Sequence, residues 1–168
     1  MVRKCCWAVW RVCTIAFPSG ACFAQEDARW AGTCLGEQDG GMILLQCDGE
    51  SMLLDAGMPG DAGVLLARLL QRGITAFDHV VSLTAVQEEI GTLGELLRIY
   101  DEGSFWLMDV IKEEMTDCHR KVRHLAGQRG VLVMNLSAEA VFSLGVAMVS
   151  FPIRKDGVPG AGFHVCAR

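Results

Sequence analysis

Several sequence patterns that define common protein classes are missing from this chain. Its N-terminal apolar stretch runs only from about Val12 to Phe17, far short of the roughly 20 residues that a membrane-spanning helix needs. No Gly-x-Ser-x-Gly motif occurs, which excludes a serine hydrolase built on a nucleophile elbow. Gly36, Gly40 and Gly41 precede a predicted strand and not a helix. The chain therefore has no phosphate-binding loop of the P-loop or dinucleotide type.

Histidine, the commonest metal ligand, is also scarce, with only 4 in the chain. His119 and His124 lie five positions apart on a predicted helix, about 140° around its axis, so they cannot chelate one ion as an i, i+4 pair can. His164 and Cys166 alternate onto one face of a predicted strand and could supply two ligands, although such a pair near a chain end is more often packing. His79 is expected at the start of a buried strand. Histidine spacing alone predicts no metal site.

The chain is acidic, with 20 acidic and 15 basic side chains and a formal net charge of −5. Nonspecific affinity for nucleic acid depends on Lys and Arg displacing counterions, so this balance argues against general nucleic-acid binding. The stretch richest in basic residues, Lys112 to Arg129, is interspersed with acids. That mixture is more typical of a solvated helix face than of a phosphate-binding patch.

The first 24 residues have the order of features found in a secretory signal peptide. Basic Arg3, Lys4 and Arg11 accompany the short apolar run, a Pro-Ser-Gly break follows, and the small residues Cys22 and Ala24 stand two apart. We predict cleavage after Ala24 and export to the periplasm, the cell surface or the medium. An uncleaved amphipathic helix and a lipoprotein signal ending at Cys22 are the alternatives. The predicted domains are a signal peptide, 1–24, and one domain, 25–168, with a single core and no membrane span.

Four cysteines lie beyond the predicted signal peptide, and their state is open. Cys34, Cys47, Cys118 and Cys166 permit three disulfide pairings, among which spacing does not decide. None of them belongs to a Cys-x-x-Cys motif, which disfavours a zinc ribbon or a thioredoxin-like site. Buried free thiols are equally compatible with the sequence.

Hydrophobic periodicity predicts an α/β domain with a mixed sheet. Asp48-Gly49 is a strong two-residue hairpin signal between two apolar runs. Gly73 is placed to end a helix that begins after Pro59-Gly60-Asp61. The predicted strands are 41–46, 51–54, 78–83, 105–110, 131–136, 141–144, 146–153 and 163–167, and the predicted helices are about 64–72, 87–100 and 111–126.

Four local motifs occur in a fixed order along these predicted strands and helices. Cys34–Asp39 precedes the first long strand, Leu53–Gly57 (Leu-Leu-Asp-Ala-Gly) ends the second, Phe77–Ser82 forms the next, and Ile90–Leu93 (Ile-Gly-Thr-Leu) lies on the following helix. Together they resemble the metallo-β-lactamase fold and, within it, the extracellular domain of the competence DNA-uptake channel proteins. The resemblance implies a mixed-sheet α/β layered fold, incomplete because the chain holds only the N-terminal half of the αββα sandwich.

The same resemblance fixes where zinc ligands would stand. The family's motif is His-x-His-x-Asp-His followed by Ile-Gly-Gly-Leu, and Ile90–Leu93 sets its register. In that register the three histidine positions fall on Thr84, Val86 and Glu89, and the aspartate position falls on Glu88. The histidine ligands that the family uses to bind zinc are therefore replaced in this chain, and we predict no cofactor.

The substituted side chains suit other roles. Hydrolytic zinc needs imidazole or carboxylate ligands and an open position for water, whereas Val86 has no donor and Thr84 is a neutral hydroxyl. Glu88 and Glu89 could hold a hard cation only weakly, and are more simply explained as carboxylates in the first turn of a helix. Asp55 matches the family residue that orients the ligand loop, and we expect it to brace a turn by hydrogen bonds. Catalytic residues stay unassigned.

Three functions compete. The first is an exported, non-catalytic binding or structural module, a remnant of a competence-type domain. Its uncovered sheet edge or apolar face predicts self-association or a protein partner, and nucleic acid enters only through the resemblance. The second is a metal-dependent hydrolase, such as a nuclease, using Glu88, Glu89, Asp55 and a further ligand such as His79 or His164. The third is an exported globular protein whose function is unrelated to its fold.

Overall fold

The computed structural model describes residues 22–24, 30–35, 41–85, 87–110, 115–136, 140–151 and 163–167. Within these ranges the chain forms two β-sheets and one layer of helices. None of the helices in these ranges has the length and apolar character that a membrane-spanning helix requires.

The larger sheet has seven strands whose spatial order is their order in the chain. The strands β1 to β4 pair antiparallel, and β4 to β7 pair in parallel. The strands are β1 (Cys22–Ala24), β2 (Trp30–Cys34), β3 (Ile43–Cys47), β4 (Glu50–Leu54), β5 (Ala76–Ser82), β6 (Asp101–Met108) and β7 (Val133–Leu136).

Helices make the crossovers that parallel pairing requires. The connection from β4 to β5 contains α1 (Ala62–Gln71), the connection from β5 to β6 contains α2 (Gln87–Ile90) and α3 (Leu93–Ile99), and the connection from β6 to β7 contains α4 (Asp117–Gln128). As predicted, Gly73 follows the end of α1 in a left-handed conformation, with φ of 70°. That conformation suits glycine, which has no Cβ to clash.

The smaller sheet has three antiparallel strands in the order β10-β9-β8. They are β8 (Val141–Leu144), β9 (Ala147–Ser150) and β10 (His164–Ala167). Two turns clamp this sheet onto the larger one. The Glu50 carboxylate accepts a hydrogen bond from the Gly145 amide at 2.6 Å, and the Asp48 carboxylate accepts one from the Val146 amide at 3.2 Å.

The helices, the larger sheet and the smaller sheet form three layers, with one hydrophobic core between each neighbouring pair. The core between the larger sheet and the helices includes Leu44, Leu53, Val80 and Phe105 from the strands and Leu65, Leu69, Leu96 and Val122 from the helices. The core between the two sheets includes Leu45, Met52, Leu54 and Val81 from one sheet and Phe142, Leu144 and Val149 from the other. Because β3 and β4 are buried on both faces, their apolar residues are consecutive and do not alternate with polar ones, as in Ile43–Leu45 and Met52–Leu54. These layers confirm the predicted α/β fold with a mixed sheet.

The Asp48-Gly49 hairpin is also confirmed. Both residues have positive φ, 50° and 90°, as the mirror-image turns favoured in two-residue hairpins require. The turn joins β3 to β4 with Cys47 paired to Glu50.

The prediction missed one strand and misplaced several boundaries. Strand β2 (Trp30–Cys34) is not among the predicted strands. Its sequence, Trp-Ala-Gly-Thr-Cys, has no apolar alternation, and the strand is held by backbone pairing with β3. The helix predicted over 111–126 begins only at Asp117, after its cap Thr116. The helix predicted over 87–100 is interrupted at Gly91 and Thr92. Strand β6 starts at Asp101, four residues early, because its first residues continue the parallel ladder with β5.

The cysteines and the predicted signal peptide are described only in part. Cys34, Cys47 and Cys118 are free thiols, while the side chain of Cys166 lies outside the described part. Residues 1–21 also lie outside it. The last residues of the predicted signal peptide, Cys22–Ala24, form β1 and pair with β2. Cleavage after Ala24 would remove that strand.

Candidate functional site at the ends of β4 and β5

The candidate site lies where β4 and β5 end. These strands are parallel neighbours, with Leu54 paired to Val81, so the segments that follow them meet at the same edge of the sheet. Ligands of open α/β sheets bind at such carboxyl ends. Asp55 follows β4, and Thr84 lies in the loop that follows β5.

Asp55 braces the loop after β5. Its backbone has a φ of 53°, and its amide donates to the Val81 carbonyl at 2.9 Å. Its carboxylate oxygen Oδ1 accepts hydrogen bonds from the Leu83 amide at 2.9 Å and from the Ser82 hydroxyl at 3.2 Å. The Ser82 hydroxyl also lies 2.7 Å from the Thr84 carbonyl. The bracing contacts expected of Asp55 are therefore present.

The Ile-Gly-Thr-Leu motif is held against the segment after β4. The Thr92 hydroxyl donates to the Ala56 carbonyl, and the Gly91 amide donates to the Gly57 carbonyl at 2.9 Å. Gly91 has no space for a side chain, since a Cβ there would lie 2.3 Å from Pro59 Cδ and 2.4 Å from Pro59 N. This close approach explains both the glycine and the interruption of the predicted helix.

The first turn of α4 holds the other side of the loop. The Thr116 hydroxyl donates to the Ala85 carbonyl at 3.2 Å and accepts from the His119 amide at 3.2 Å, so it caps α4 while binding the loop. The Cys118 thiol lies 3.8 Å from the Ile90 carbonyl. Burial raises the pKa of this thiol, and Lys121 partly opposes the effect. The loop is thus fastened to β4 and to α4.

The predicted site residues are brought together only in part. Asp55 and Thr84 lie on the same loop structure, half-buried, and the Ser82 hydroxyl contacts both residues. Val86 lies outside the described residues. For Glu88 and Glu89 the structure describes the backbone of α2 and not the side chains. The resemblance predicts zinc here, but a neutral hydroxyl and a carboxylate already engaged by the loop do not fit hydrolytic zinc.

His79 was expected at the start of a buried strand, but it is a structural histidine in the middle of β5, which begins three residues earlier at Ala76. Its Nε2 donates to the Ser143 carbonyl at 2.8 Å, and its Nδ1 lies 2.6 Å from the Ser104 hydroxyl. Trp106 Nε1 donates to the same hydroxyl at 2.9 Å, and the Phe142 ring packs edge-on at 5.3 Å. Both ring nitrogens are therefore occupied: Nε2 joins the two sheets, and Nδ1 contacts the neighbouring strand β6. In the described ranges no three His, Cys, Asp or Glu side chains are grouped to hold a metal.

The two histidines of α4 face different surroundings, as predicted. His119 is fully buried, whereas His124 is exposed and lies 3.1 Å from the Gln128 side chain. They cannot share an ion. The side chain of His164 lies outside the described part.

His119 is a buried polar group that sequence reasoning passed over. Neither of its ring nitrogens has a hydrogen-bond partner among the described atoms, and neither has Nε of Arg123. Burial lowers the pKa of His119, the charge of Arg123 lowers it further, and Asp109 opposes these effects. Arg123 is held by Asn135, whose Oδ1 accepts from Nη2 at 2.7 Å. The available signal was the spacing of His119 with the buried Val122 and Ala126.

No protein-family model matches the sequence, and no curated protein matches it. Solved structures do match. The chain is similar to the Cronobacter sakazakii metallo-β-lactamase with the HARLDQ motif, with TM-score 0.53, 16% identity, and coverage of 88% of this chain and 55% of that one. It is similar to MEM-A1, a subclass B3 metallo-β-lactamase from a soil metagenome library, with TM-score 0.52, 14% identity, and coverage of 88% and 56%. It is also similar to the Rm3 metallo-β-lactamase, with TM-score 0.53, 12% identity, and coverage of 81% and 52%.

Likeness at these identities carries the fold and not the activity. The chain therefore has the metallo-β-lactamase fold and spans about half the length of the structures that it matches.

Proposed function

We propose that this chain is an exported, non-catalytic domain of the metallo-β-lactamase fold that acts by binding. The observation that carries the proposal is how the donor groups around the loop after β5 are used. Asp55 gives its carboxylate oxygen to the Leu83 amide and the Ser82 hydroxyl, and Thr84 supplies a neutral hydroxyl where the family has histidine. The Asp55 carboxylate, the Ser82 hydroxyl and the Thr84 carbonyl hold the loop together.

The chemistry of zinc supports the same reading. A hydrolytic zinc site needs about three protein ligands and an open position. His79, the nearest histidine in β5, has both nitrogens hydrogen-bonded. The alternative, a metal-dependent hydrolase of the phosphodiesterase or nuclease kind with non-standard ligands, would have to rely on Glu88 and Glu89.

We propose self-association for the outer face of the smaller sheet. On β8, Phe142 and Leu144 are buried, whereas Val141 is 55% exposed. All the described helices that contribute to a core pack against the larger sheet. Light scattering after size-exclusion chromatography tests this: a dimer or larger species is expected, and a well-behaved monomer would count against it.

The finer resemblance, to competence DNA-uptake channel domains, would place the protein beside such a channel. It rests on the sequence motifs. The net charge of −5 makes a protein partner more suitable than DNA, since phosphate binding is driven by Lys and Arg. Fluorescence anisotropy with single-stranded DNA should show no binding at physiological salt.

Metal content tests the non-catalytic proposal directly. The full-length chain, dialysed after purification, should carry far less than one zinc per chain by elemental mass spectrometry. Added zinc should not raise its Tm, because only a ligand that binds the folded state stabilises it. Zinc near one equivalent, with hydrolysis of a phosphodiester that Glu88→Gln abolishes, would favour the hydrolase instead.

A ligand-restoring variant is the matched control. Thr84→His, Val86→His, Glu88→Asp and Glu89→His together rebuild the family's motif in the register set by Ile-Gly-Thr-Leu. We expect this variant, unlike the natural chain, to retain zinc and to gain thermal stability from it. Zinc uptake by the variant alone would indicate that only the ligands are missing.

Export is tested separately. Expression of the full chain in a bacterial host, followed by N-terminal sequencing of exported material, should find Gln25 as the first residue. An N-terminus that retains Met1 on exported or cytoplasmic protein would contradict cleavage after Ala24.

A further inference from the structure

A groove runs between α3 and α4, on the helical layer and away from the interface of the two sheets. Its volume is about 300 Å³, which lies at the small end of the range for small-molecule sites. Its apolar floor includes Gly94 on α3 and Val122 and Leu125 on α4. Val122 is almost fully buried. The groove also touches Gly91, so it adjoins the segment that is fastened to the candidate site.

Gly94 lines the groove without a side chain. A Cβ at Gly94 would meet only Leu125 Cδ2, at 3.8 Å, an ordinary contact. Packing therefore does not require this glycine, in contrast to Gly91, where a Cβ would overlap Pro59. Glycine inside a helix is also less favourable than alanine. The helix thus carries an unfavourable residue whose effect is to leave space beside Leu125.

The rim of the groove carries the positive charge of Lys121, on α4, on an acidic protein. Lys121 makes no ion pair with a residue that the structure describes, and its charge acts on the Asp117 carboxylate, which Arg120 already pairs. The guanidinium of Arg98, on α3, is held by Glu95 at 2.8 Å, so that pair adds no net charge. An apolar floor beside an available ammonium group is complementary to a ligand that has an apolar body and one anionic end.

The dimensions favour a small ligand over a helix from a partner. Because α3 has seven residues, its side of the groove is about 10 Å long. A docking helix would need a longer groove to engage successive turns. A short, flexible chain can fill the space over Gly94 and reach the rim.

We propose that the α3–α4 groove binds a medium-chain carboxylate, with its alkyl chain over Gly94 and Leu125 and its carboxylate at Lys121. This inference rests on the proposed binding function and assigns a ligand class to it. A bound ligand would contact Cys118 and the adjoining Ile90–Gly91 segment, and through that segment it would affect the loop after β5.

Cys118 provides a site-specific reporter, because its thiol is half-buried and lines the groove. The test measures alkylation of Cys118 in the full chain by iodoacetamide, resolved by peptide mass spectrometry, with and without decanoate. At about ten times its Kd, decanoate should slow alkylation about tenfold, because only the free fraction reacts. Decanol at equal concentration should protect less, because it lacks the charge. No protection by decanoate would overturn the proposal, and equal protection by decanol would overturn the role of Lys121.

Variants separate the groove from nonspecific binding, with decanoate affinity measured by calorimetry. Gly94→Leu fills the groove and should abolish binding. Gly127→Leu adds the same bulk on α4, where a Cβ has no heavy atom within 4 Å, and should leave binding unchanged. Lys121→Gln should weaken binding about fivefold, as expected for a partly exposed ion pair, and Lys121→Arg should restore it. Unchanged affinity in Gly94→Leu would overturn the assignment.

The outcome is distinguishable from that of the proposed function. Decanoate binding by a chain that also retains zinc would leave the groove standing and contradict the non-catalytic proposal. A zinc-free chain whose Cys118 is not protected by decanoate would overturn the groove proposal and leave the non-catalytic proposal standing.

Discussion

Replacing Asp55 should show how far one carboxylate organises the candidate site. In Asp55→Ala the Leu83 amide and the Ser82 hydroxyl lose an acceptor, and loss of a hydrogen bond to a charged group costs about 1.5–3 kcal/mol. The backbone φ of 53° adds up to about 1 kcal/mol, because alanine tolerates that conformation less well than aspartate. We expect a loss of about 2–4 kcal/mol in the free energy of unfolding.

Two further substitutions divide that loss into its parts. Asp55→Asn keeps an oxygen acceptor and tolerates positive φ, so it should lose less than about 1 kcal/mol. Asp55→Gly removes the acceptor but still permits positive φ, so its loss of unfolding free energy should lie between those of Asp55→Asn and Asp55→Ala. Asp48→Ala is the control for the position of the effect. Asp48 has nearly the same φ of 50°, and its carboxylate accepts from the Val146 amide, so its replacement should destabilise the chain without selectively exposing the Leu83 amide.

Urea unfolding followed by circular dichroism measures these differences. With an m-value of about 2 kcal/mol/M, Asp55→Ala should lower the midpoint by about 1–2 M without changing the slope. Hydrogen exchange at the Leu83 amide should accelerate in Asp55→Ala and Asp55→Gly but not in Asp55→Asn. A stability of Asp55→Ala within about 0.5 kcal/mol of the natural chain, with unchanged exchange at Leu83, would refute the bracing role.

Gly91→Ala should destabilise the chain by about 1–3 kcal/mol in chemical denaturation, because the new Cβ overlaps the Pro59 ring and backbone. Gly63→Ala on α1 is the control: a Cβ there has open space, so this variant should be neutral or stabilising. Burial lowers the pKa of His119 in the folded chain. Below about pH 6.5 this histidine therefore becomes protonated in the unfolded chain while it stays neutral in the folded one, and the free energy of unfolding should fall by up to about 1.4 kcal/mol per pH unit. Thermal melts between pH 7.5 and pH 5 should show a shallower fall for His119→Leu, and identical slopes would contradict the assignment. Thr116→Val removes the cap of α4 and the bond to the loop and should cost about 1–2 kcal/mol, with Thr116→Ser restoring most of it.

Elements set by local chemistry were predictable from the sequence. The Asp48-Gly49 turn follows from the two residues that tolerate positive φ, and the end of α1 follows from Gly73. Strand β5 follows from an apolar segment after that glycine. These features depend on residues a few positions apart, so neighbouring sequence contains the information.

Elements set by distant contacts were not predictable. The strand β2 exists because β3 supplies its hydrogen bonds, and α3 begins after a break because Gly91 must lie against Pro59. Neither partner is close in sequence to the residue that it constrains.

The sequence by itself determined the α/β order, the hairpin, and the loss of histidine from the positions where the resemblance places zinc ligands. Those follow from residue type and local spacing. The tertiary structure alone decided that His79 joins the two sheets and that an open groove lies beside Gly94. These properties depend on which side chains meet across the layers, and that pairing arises only when the two cores form.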